Sequence, residues 1–375
     1  FSPIPNGYLM INNNKEITFY CDLRKINRIV KNHLKNIKII DINLIDFYLN
    51  KVKDKKIQID KTSCSIYFDN ILKKNNDTFS LYDPTYFLKA IKNTTEIKNT
   101  IKSHIYDGAA LTKFIMWLKN NFKKKIITEL SAQEKALKIR KTNNYFKSPS
   151  FPTISATGPN AAIIHYQAKK KSNRILKNGE LYLIDSGGQY KYGTTDVTRT
   201  ISLENKNERI KNIYTRVLKG HIAVANYKLN KNSTGSDIDE VARKYLKEIK
   251  LDYAHGTGHG VGYFLNVHEG PHAISNNNKI KLKAGMILSN EPGYYENNKF
   301  GIRIENLITI KKTNKKLGFV DLTMVPIEKS LINKKLLSID EINWLNNYHS
   351  KVLKNIKKFM SKSELGDLRI MCSNI

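Results

Sequence analysis

The sequence predicts an α+β protein in which a small domain precedes a larger one. Three observations point that way. Over residues 1 to about 83, short β-like runs alternate with helical stretches. A helical segment follows, to about Phe122, with apolar residues mostly at three- and four-residue spacing. Residues 145–310 are then rich in glycine and β-forming residues, punctuated by two helical regions.

Taken in order, Tyr8–Ile11, an asparagine turn at Asn12–Asn14 and Ile17–Tyr20 read as a β-hairpin. Ile37–Ile40 and Ser65–Phe68 are further strand candidates. The Asp83-Pro84 step marks a boundary, because the residue before proline is pushed out of the helical region. The expected domains are therefore 1–83 and 84–375. Ile97, Ile101, Ile105, Leu111, Phe114, Ile115 and Leu118 lay an apolar stripe on the first long helix. Further helices are expected over Thr128–Asn144, Asn207–Tyr227 and Asp237–Ile249, and a last one over Ser338–Phe359. No internal repeat is present.

Composition bounds the function. The 375 residues are 40% hydrophobic and 26% charged, which excludes wholesale disorder, collagen and a small disulfide scaffold. No apolar stretch approaches the roughly 18 residues of a spanning helix, so no membrane partner is expected. Three widely spaced cysteines (Cys21, Cys64, Cys372) fit a reducing, cytoplasmic compartment. The net charge of +31 would by itself suggest a polyanion partner. Yet only 10 of the 64 basic residues are Arg, the residue suited to bidentate phosphate contacts. Lys, Asn and Ile are abundant together, as A/T-rich codons produce, and the lysines read as solvated surface. The chain begins at Phe1 rather than Met, so residues upstream are expected.

The chemistry lies in acidic residues placed where stability alone does not put them. Asp185 ends the apolar run Leu181–Ile184, and Asp196 sits in the β-prone run Thr194–Thr200. A hairpin centred near Tyr190 makes the two aspartates a facing pair, with Cβ atoms about 4.5–5.5 Å apart. Glu291 and Glu305 likewise face one another across a turn near Asn298. Two like charges placed together in a sheet are destabilising unless a cation neutralises them. The alternative, carboxylates exposed on hairpin surfaces, is disfavoured by their apolar flanks. The run His255-Gly256-Thr257-Gly258-His259-Gly260-Val261-Gly262 lacks the dinucleotide fingerprint and the phosphate-loop lysine. A histidine in such a loop can offer a nitrogen to a metal. Four carboxylates and an imidazole suit two divalent ions of the Mn, Co or Zn kind. A metal pair about 3.5–4 Å apart can bridge a water, lower its pKa and clamp a hydrolytic displacement.

These residues resemble the pita-bread metallopeptidases, and within them the cytosolic type of aminopeptidase P. The likeness is dense over residues 150–310. It runs through Gly158-Pro159-Asn160, Ile163-Ile164-His165-Tyr166, Tyr182–Gly187, Gly193–Thr200, His255–Gly262, Asn266–Pro271, Asn290–Tyr295 and Gly301–Asn306. The resemblance implies a pita-bread (creatinase/aminopeptidase) catalytic domain preceded by part of a smaller domain. It implies Asp185, Asp196, His259, Glu291 and Glu305 as metal ligands, two Mn²⁺ ions as cofactor and a homodimer. It implies hydrolysis of the Xaa-Pro bond at a peptide N-terminus by a metal-bridging hydroxide. Glu291 is then the proton shuttle, and His165 and His268 flank the scissile amide. His255 lines the proline pocket, and Tyr295 and Arg303 line the site. The family's first domain is absent here, so the chain is expected to be N-terminally truncated, with consequences for peptide-length preference. Two other readings stand beside it. One is prolidase, a dipeptidase on the same fold. The other is a metal-free binding protein whose lysines contact nucleic acid, against which all five ligand positions are occupied.

Overall fold

The computed structural model describes residues 1–314 and 316–375. Two compact units divide the chain, one of Pro3–Leu88 and one of Lys89–Ile375 with Phe1–Ser2.

The smaller unit opens with a hairpin of β1 (Gly7–Ile11) and β2 (Ile17–Cys21), in the register Gly7↔Cys21 to Ile11↔Ile17. Helix α1 (Arg28–His33) leads to β3 (Lys38–Asp41), which pairs parallel with β2. Then come α2 (Ile45–Asn50), β4 (Lys56–Ile59), α3 (Ile66–Lys73) and β5 (Asp77–Ser80). Strands β4 and β5 are parallel, and parallel neighbours need a crossover, which α3 supplies. Leu49, Ile59, Ile71 and Leu72 form the core.

The strand expected at Ser65–Phe68 is instead the start of α3. Ser65 caps the helix, its Oγ accepting the Tyr67 N–H. The local β-propensity of Ile66, Tyr67 and Phe68 is overruled because a helix here delivers Ile71 and Leu72 to the core. Strands β4 and β5 gave no sequence signal, since Lys56, Gln58, Asp77 and Ser80 break their apolar character.

Helix α4 (Pro84–Ala90) starts at the Asp83-Pro84 step. In the larger unit α5 (Thr94–Asn121) begins with a capping box: Asn93 Oδ1 accepts the Glu96 N–H and the Glu96 carboxylate accepts the Asn93 N–H. Helix α6 (Glu129–Arg140) is capped by Thr128 and stops short of Asn144, because Lys141–Asn144 forms turns. Strands β6 (Phe146–Pro149), β7 (Ile154–Thr157), β8 (Leu181–Ser186), β9 (Gly188–Tyr190), β10 (Gly193–Thr194) and β11 (Val197–Ser202) follow. Strand β8 lies between β7 and β11, antiparallel to both, and is buried throughout. That burial on both faces explains why Leu181–Ile184 reads as an unbroken apolar run.

Helices α7 (Glu208–Ala225) and α8 (Gly235–Lys247) precede β12 (Gly258–His259) and β13 (Ala273–Ile274). Strands β14 (Ile287–Asn290), β15 (Gly293–Glu296), β16 (Phe300–Arg303), β17 (Asn306–Thr313) and β18 (Lys316–Asp321) come next. Helices α9 (Ile339–Ile356) and α10 (Lys362–Met371) close the chain. The sequence reading ended at Phe359, but α10 follows, capped by Ser361. Its run KSELGDLRIM is short and carries a glycine and four charged residues, so its helical signal is weak.

The main core joins the α7 stripe (Ile213, Val217, Leu218, Ile222) to the α9 stripe (Leu345, Val352, Ile356). Each aliphatic side chain buried this way contributes on the order of 1.5–3 kcal/mol. The strands carrying the acidic residues therefore stand on a stiff support. No helix among the described residues is long and apolar enough to cross a membrane.

Candidate metal centre

Strands β8, β11, β12, β14 and β17 converge on one point through their ends. Asp185 sits near the end of β8, opposite Thr198. The expectation that it directly opposes Asp196 is not met. The turn is Lys191-Tyr192, with Tyr190 opposite Gly193, so the register lies one residue further along the chain than glycine spacing suggested. Gly187 instead serves close approach: a Cβ there would meet the Thr195 carbonyl oxygen at 1.9 Å. Asp196, in the gap between β10 and β11, therefore lies diagonally from Asp185, and the two carboxylates still converge.

The second hairpin has the expected register. Asn290 pairs with Asn306 in one ladder and Gly293 with Arg303 in the next, with Asn298 at φ 59° in the turn. Glu291 and Glu305 occupy the facing break between these ladders. Their backbones are tied elsewhere: the Glu291 N–H donates to Thr257 O at 2.8 Å, and the Glu305 N–H to Thr198 O at 3.2 Å.

His259 comes in from β12. Its Nδ1 is 3.0 Å from Gly260 O, which makes Nδ1 the protonated nitrogen and leaves the Nε2 lone pair facing the cluster. Nε2 is 3.4 Å from both Asp196 Oδ2 and Glu291 Oε1. Within each of the sets Asp185–Asp196–Glu305, His259–Glu291–Glu305 and Asp196–His259–His268, one donor atom per residue lies within 4.8 Å of the others.

This arrangement is poor as a protein interior and good as a cation site. Burial drives the carboxyls of Asp185, Asp196 and Glu305 above the usual range, and their mutual repulsion and Glu291 add to it. For Asp185, Arg303 pulls the other way. Asp185 Oδ1 and Asp196 Oδ1 are buried and have no hydrogen-bond partner among the described residues. Orphaned carboxylate oxygens beside a free imidazole nitrogen are what two divalent cations would satisfy, and the donor set fits them.

Neighbours that the sequence reading passed over hold these donors. Thr198 Oγ1 donates to Glu305 Oε2 at 2.6 Å and accepts from Arg303 Nε at 3.0 Å, so one hydroxyl joins two halves of the cluster. Ser289 Oγ accepts the His259 N–H at 2.8 Å and donates to Glu291 Oε1 at 3.0 Å. Ser289 and Thr198 lie two residues from Glu291 and Asp196 and so fall on the same faces, but that spacing alone does not separate them from ordinary strand hydroxyls. Arg199, 1% exposed, donates to the backbone oxygens of Thr198, Glu305, Val325 and Pro326 and to Asn306 Oδ1 and Tyr348 Oη. It locks the two strands together with no carboxylate in salt-bridge contact among the described residues.

The other residues singled out from sequence fall around the cluster. Arg303 donates to Asp185 Oδ2 at 2.6 Å and to Tyr295 Oη at 2.7 Å. The Tyr295 hydroxyl is 2.9 Å from His255 Nε2, while His255 Nδ1 is held by Gly256 O. The result is a chain from Asp185 through Arg303 and Tyr295 to His255. Burial pushes the Tyr295 phenol up to about 12 and holds His255 below its ordinary value, so both stay neutral near pH 7. His268 lies at the exposed side with its ring 4.1 Å from that of His259. Loss of water and the neighbouring His259 lower its basicity. Exposed His165 is near enough to act on it electrostatically. Glu269, which follows His268, is buried beside Lys92 at 3.5 Å and Lys89 at 3.4 Å, an anchor that sequence spacing did not reveal.

Four carboxylates and one imidazole gathered on strand ends, with histidines on the approach, form a donor set that fits divalent cations, on a pita-bread, α+β fold. The model of metallopeptidase family M24 matches residues 98–312, and that of its C-terminal region matches 315–373. The creatinase/prolidase N-terminal domain model matches residues 1–96. The chain belongs to metallopeptidase family M24. It is 40% identical to Xaa-Pro aminopeptidase 1 of Dictyostelium discoideum over 97% of this chain and 60% of that protein. A probable Xaa-Pro aminopeptidase P of Laccaria bicolor is 37% identical, over 99% and 60%. The chain thus spans about 60% of the length of these relatives. Among solved structures, the X-prolyl aminopeptidase of Caenorhabditis elegans, described as a cytosolic enzyme with a di-nuclear active site, superposes with a TM-score of 0.93 at 33% identity. That match covers 100% of this chain and 64% of the other. Prolidase from Pyrococcus furiosus gives 0.70 at 26% identity, covering 86% and 91%.

Proposed function

We propose that this chain carries the catalytic machinery of an Xaa-Pro aminopeptidase, removing the N-terminal residue from peptides whose second residue is proline. The observation that carries the reading is the convergence of Asp185, Asp196, His259, Glu291 and Glu305, with two buried carboxylate oxygens left unpartnered. The names and di-nuclear site of the relatives support it. Two divalent cations held by those five residues supply Lewis acidity and lower the pKa of bound water. Mn²⁺ is the proposed metal, because the donors are hard oxygens with a single imidazole. The cytosol is the proposed compartment, and a homodimer the proposed assembly.

The chain's own groups do the rest. An Xaa-Pro bond has no amide N–H to grip and has a ring-fixed φ, so a pocket for the ring replaces a hydrogen bond. His255, neutral and held by Tyr295 and Gly256, is the proposed wall of that pocket. Glu291 is the most exposed of the three carboxylates that meet basic partners in the cluster, at 17% against 12% for Asp185 and 5% for Asp196. It can reach the reacting atoms, and its Oε1 is kept oriented by Ser289. It moves a proton from the attacking water to the proline nitrogen. His268 offers a ring N–H to the developing oxyanion, and His165 holds the peptide near the scissile amide.

The test is a comparison of an Xaa-Pro-Xaa tripeptide with an Xaa-Pro dipeptide, using protein of measured Mn content. Release of the first residue from the tripeptide is expected. Cleavage of the dipeptide alone would make prolidase the correct reading. Inactivity on both at full metal occupancy would reject the peptidase assignment.

A further inference from the structure

Arg243, on α8, lies outside the cation cluster, yet all five of its N–H groups are committed, two to Asp239 on its own helix and three to one neighbouring bend. Nε and Nη2 donate to Asp239 at 2.9 and 3.2 Å. Nη1 donates to Asp252 Oδ1 at 2.8 Å and to Tyr253 O at 2.7 Å. Nη2 also reaches His255 O at 2.6 Å, and the guanidinium lies 4.0 Å over the Tyr253 ring. The planar fork of arginine fits this set of acceptors as no ammonium can.

The bend so clamped carries two functional consequences. Tyr253 packs on the His255 ring with centroids 4.9 Å apart, while Tyr295 holds Nε2. Asp239, 2% exposed, accepts the Thr257 hydroxyl at 2.6 Å, and Tyr253 Oη is 2.5 Å from that same hydroxyl. The carbonyl of Thr257 then takes the Glu291 N–H at 2.8 Å. From α8 the chain of contacts therefore runs to the imidazole of the pocket and to the backbone of the proton shuttle.

We infer that Arg243, seated on Asp239, is a positioning residue that sets proline recognition by fixing where His255 stands. The inference rests on the reading of His255 as a wall of the proline pocket. It gives α8 a role in substrate selection although no α8 side chain belongs to the cation cluster. Arg243 donates to none of the five cluster residues, and Asp239 keeps its own bond from Thr257 without it, so loss of Arg243 is expected to bear on substrate binding through His255 and to leave the metal set intact.

The experiment is a double-mutant cycle on the Mn-loaded chain with an Xaa-Pro-Xaa tripeptide, combining Arg243→Met and His255→Ala. A hydrogen bond from a charged group that fixes a binding residue is worth about 10–100-fold. Arg243→Met is expected to lower kcat/KM by about that factor, mainly through KM, with metal stoichiometry unchanged. The double variant should be no worse than His255→Ala alone, because coupled residues are non-additive. Additive losses, or an Arg243→Met variant with wild-type KM, would overturn the inference. An Arg243→Met variant that binds less metal would overturn it as well. If His255→Ala itself leaves KM unchanged, the pocket assignment fails instead, so the two failures are distinguishable. Should Arg243→Met not fold, Arg243→Lys keeps the charge and loses the fork; it should raise KM, and a wild-type KM there would equally refute the role.

Discussion

Replacing Thr198 with valine removes one hydroxyl and almost no volume. That hydroxyl donates to Glu305 Oε2 at 2.6 Å and accepts from the fully buried Arg303 at 3.0 Å. A hydrogen bond to a charged group contributes about 1.5–3 kcal/mol, and a buried donor left unpaired costs about 1–3 kcal/mol. The first quantity falls directly on how Glu305 is held. At about 1.4 kcal/mol per tenfold, Thr198→Val should weaken cation binding by about 10- to 100-fold, since Glu305 belongs to two of the donor sets, Asp185–Asp196–Glu305 and His259–Glu291–Glu305. The assay is calorimetric titration of cation-free protein with Mn²⁺, resolving the two binding steps. Thr198→Ser, which retains the hydroxyl, is the control and should stay near wild type. A valine variant that binds both equivalents with wild-type affinity would refute the bridging role of Thr198.

Other consequences are open to measurement. Glu291→Gln should cut kcat by about 10²–10⁴-fold, the usual scale of general acid–base catalysis; normal turnover at confirmed metal loading would remove Glu291 from the proton path. Gly258→Ala should abolish metal binding or folding, because a Cβ there would lie 2.0 Å from the Ser289 carbonyl oxygen, beside His259; a soluble, metal-replete variant would contradict the close approach. In cation-free protein, Asp196 is held above its ordinary carboxyl value, so the folded state binds more protons than the unfolded one. Its contribution is present below the unfolded pKa of about 4 and is lost as pH rises toward the folded value. Asp196→Asn should therefore be more stable than wild type without cations, by a margin that widens from pH 4 upward and closes when Mn²⁺ is added. Comparing the two proteins cancels buried neutral histidines such as His104 and His221, whose lowered values titrate in the opposite sense. A margin independent of pH would show that the cluster is not under charge stress.

Much of the fold was legible because the relevant signals are local. The register joining β14 to β17 followed from two apolar strands around a turn at Asn298, whose φ of 59° suits asparagine. The register of the hairpin carrying Asp185 and Asp196 differs from the expected one, because Gly187 marks close approach to the Thr195 backbone and Gly188 to the rings of Tyr190 and Phe146, whereas the turn itself uses Lys191 and Tyr192. Ser65–Phe68 shows tertiary packing overriding β-propensity, and α10 shows a cap outweighing a faint apolar pattern. In the site, acidic residues inside apolar strands stood out since isolated charges there are costly. Thr198, Ser289 and Arg243 did not stand out, since hydroxyls in strands and arginines on helices have many ordinary reasons to be there. Their role is visible only as distances between segments far apart in sequence.

The most direct measurement is anomalous X-ray diffraction from crystals grown with Mn²⁺. Two peaks about 3.5–4 Å apart, enclosed by Asp185, Asp196, His259, Glu291 and Glu305, are expected. A single peak, peaks elsewhere, or none at saturating Mn²⁺ would contradict the dinuclear centre and the chemistry built on it.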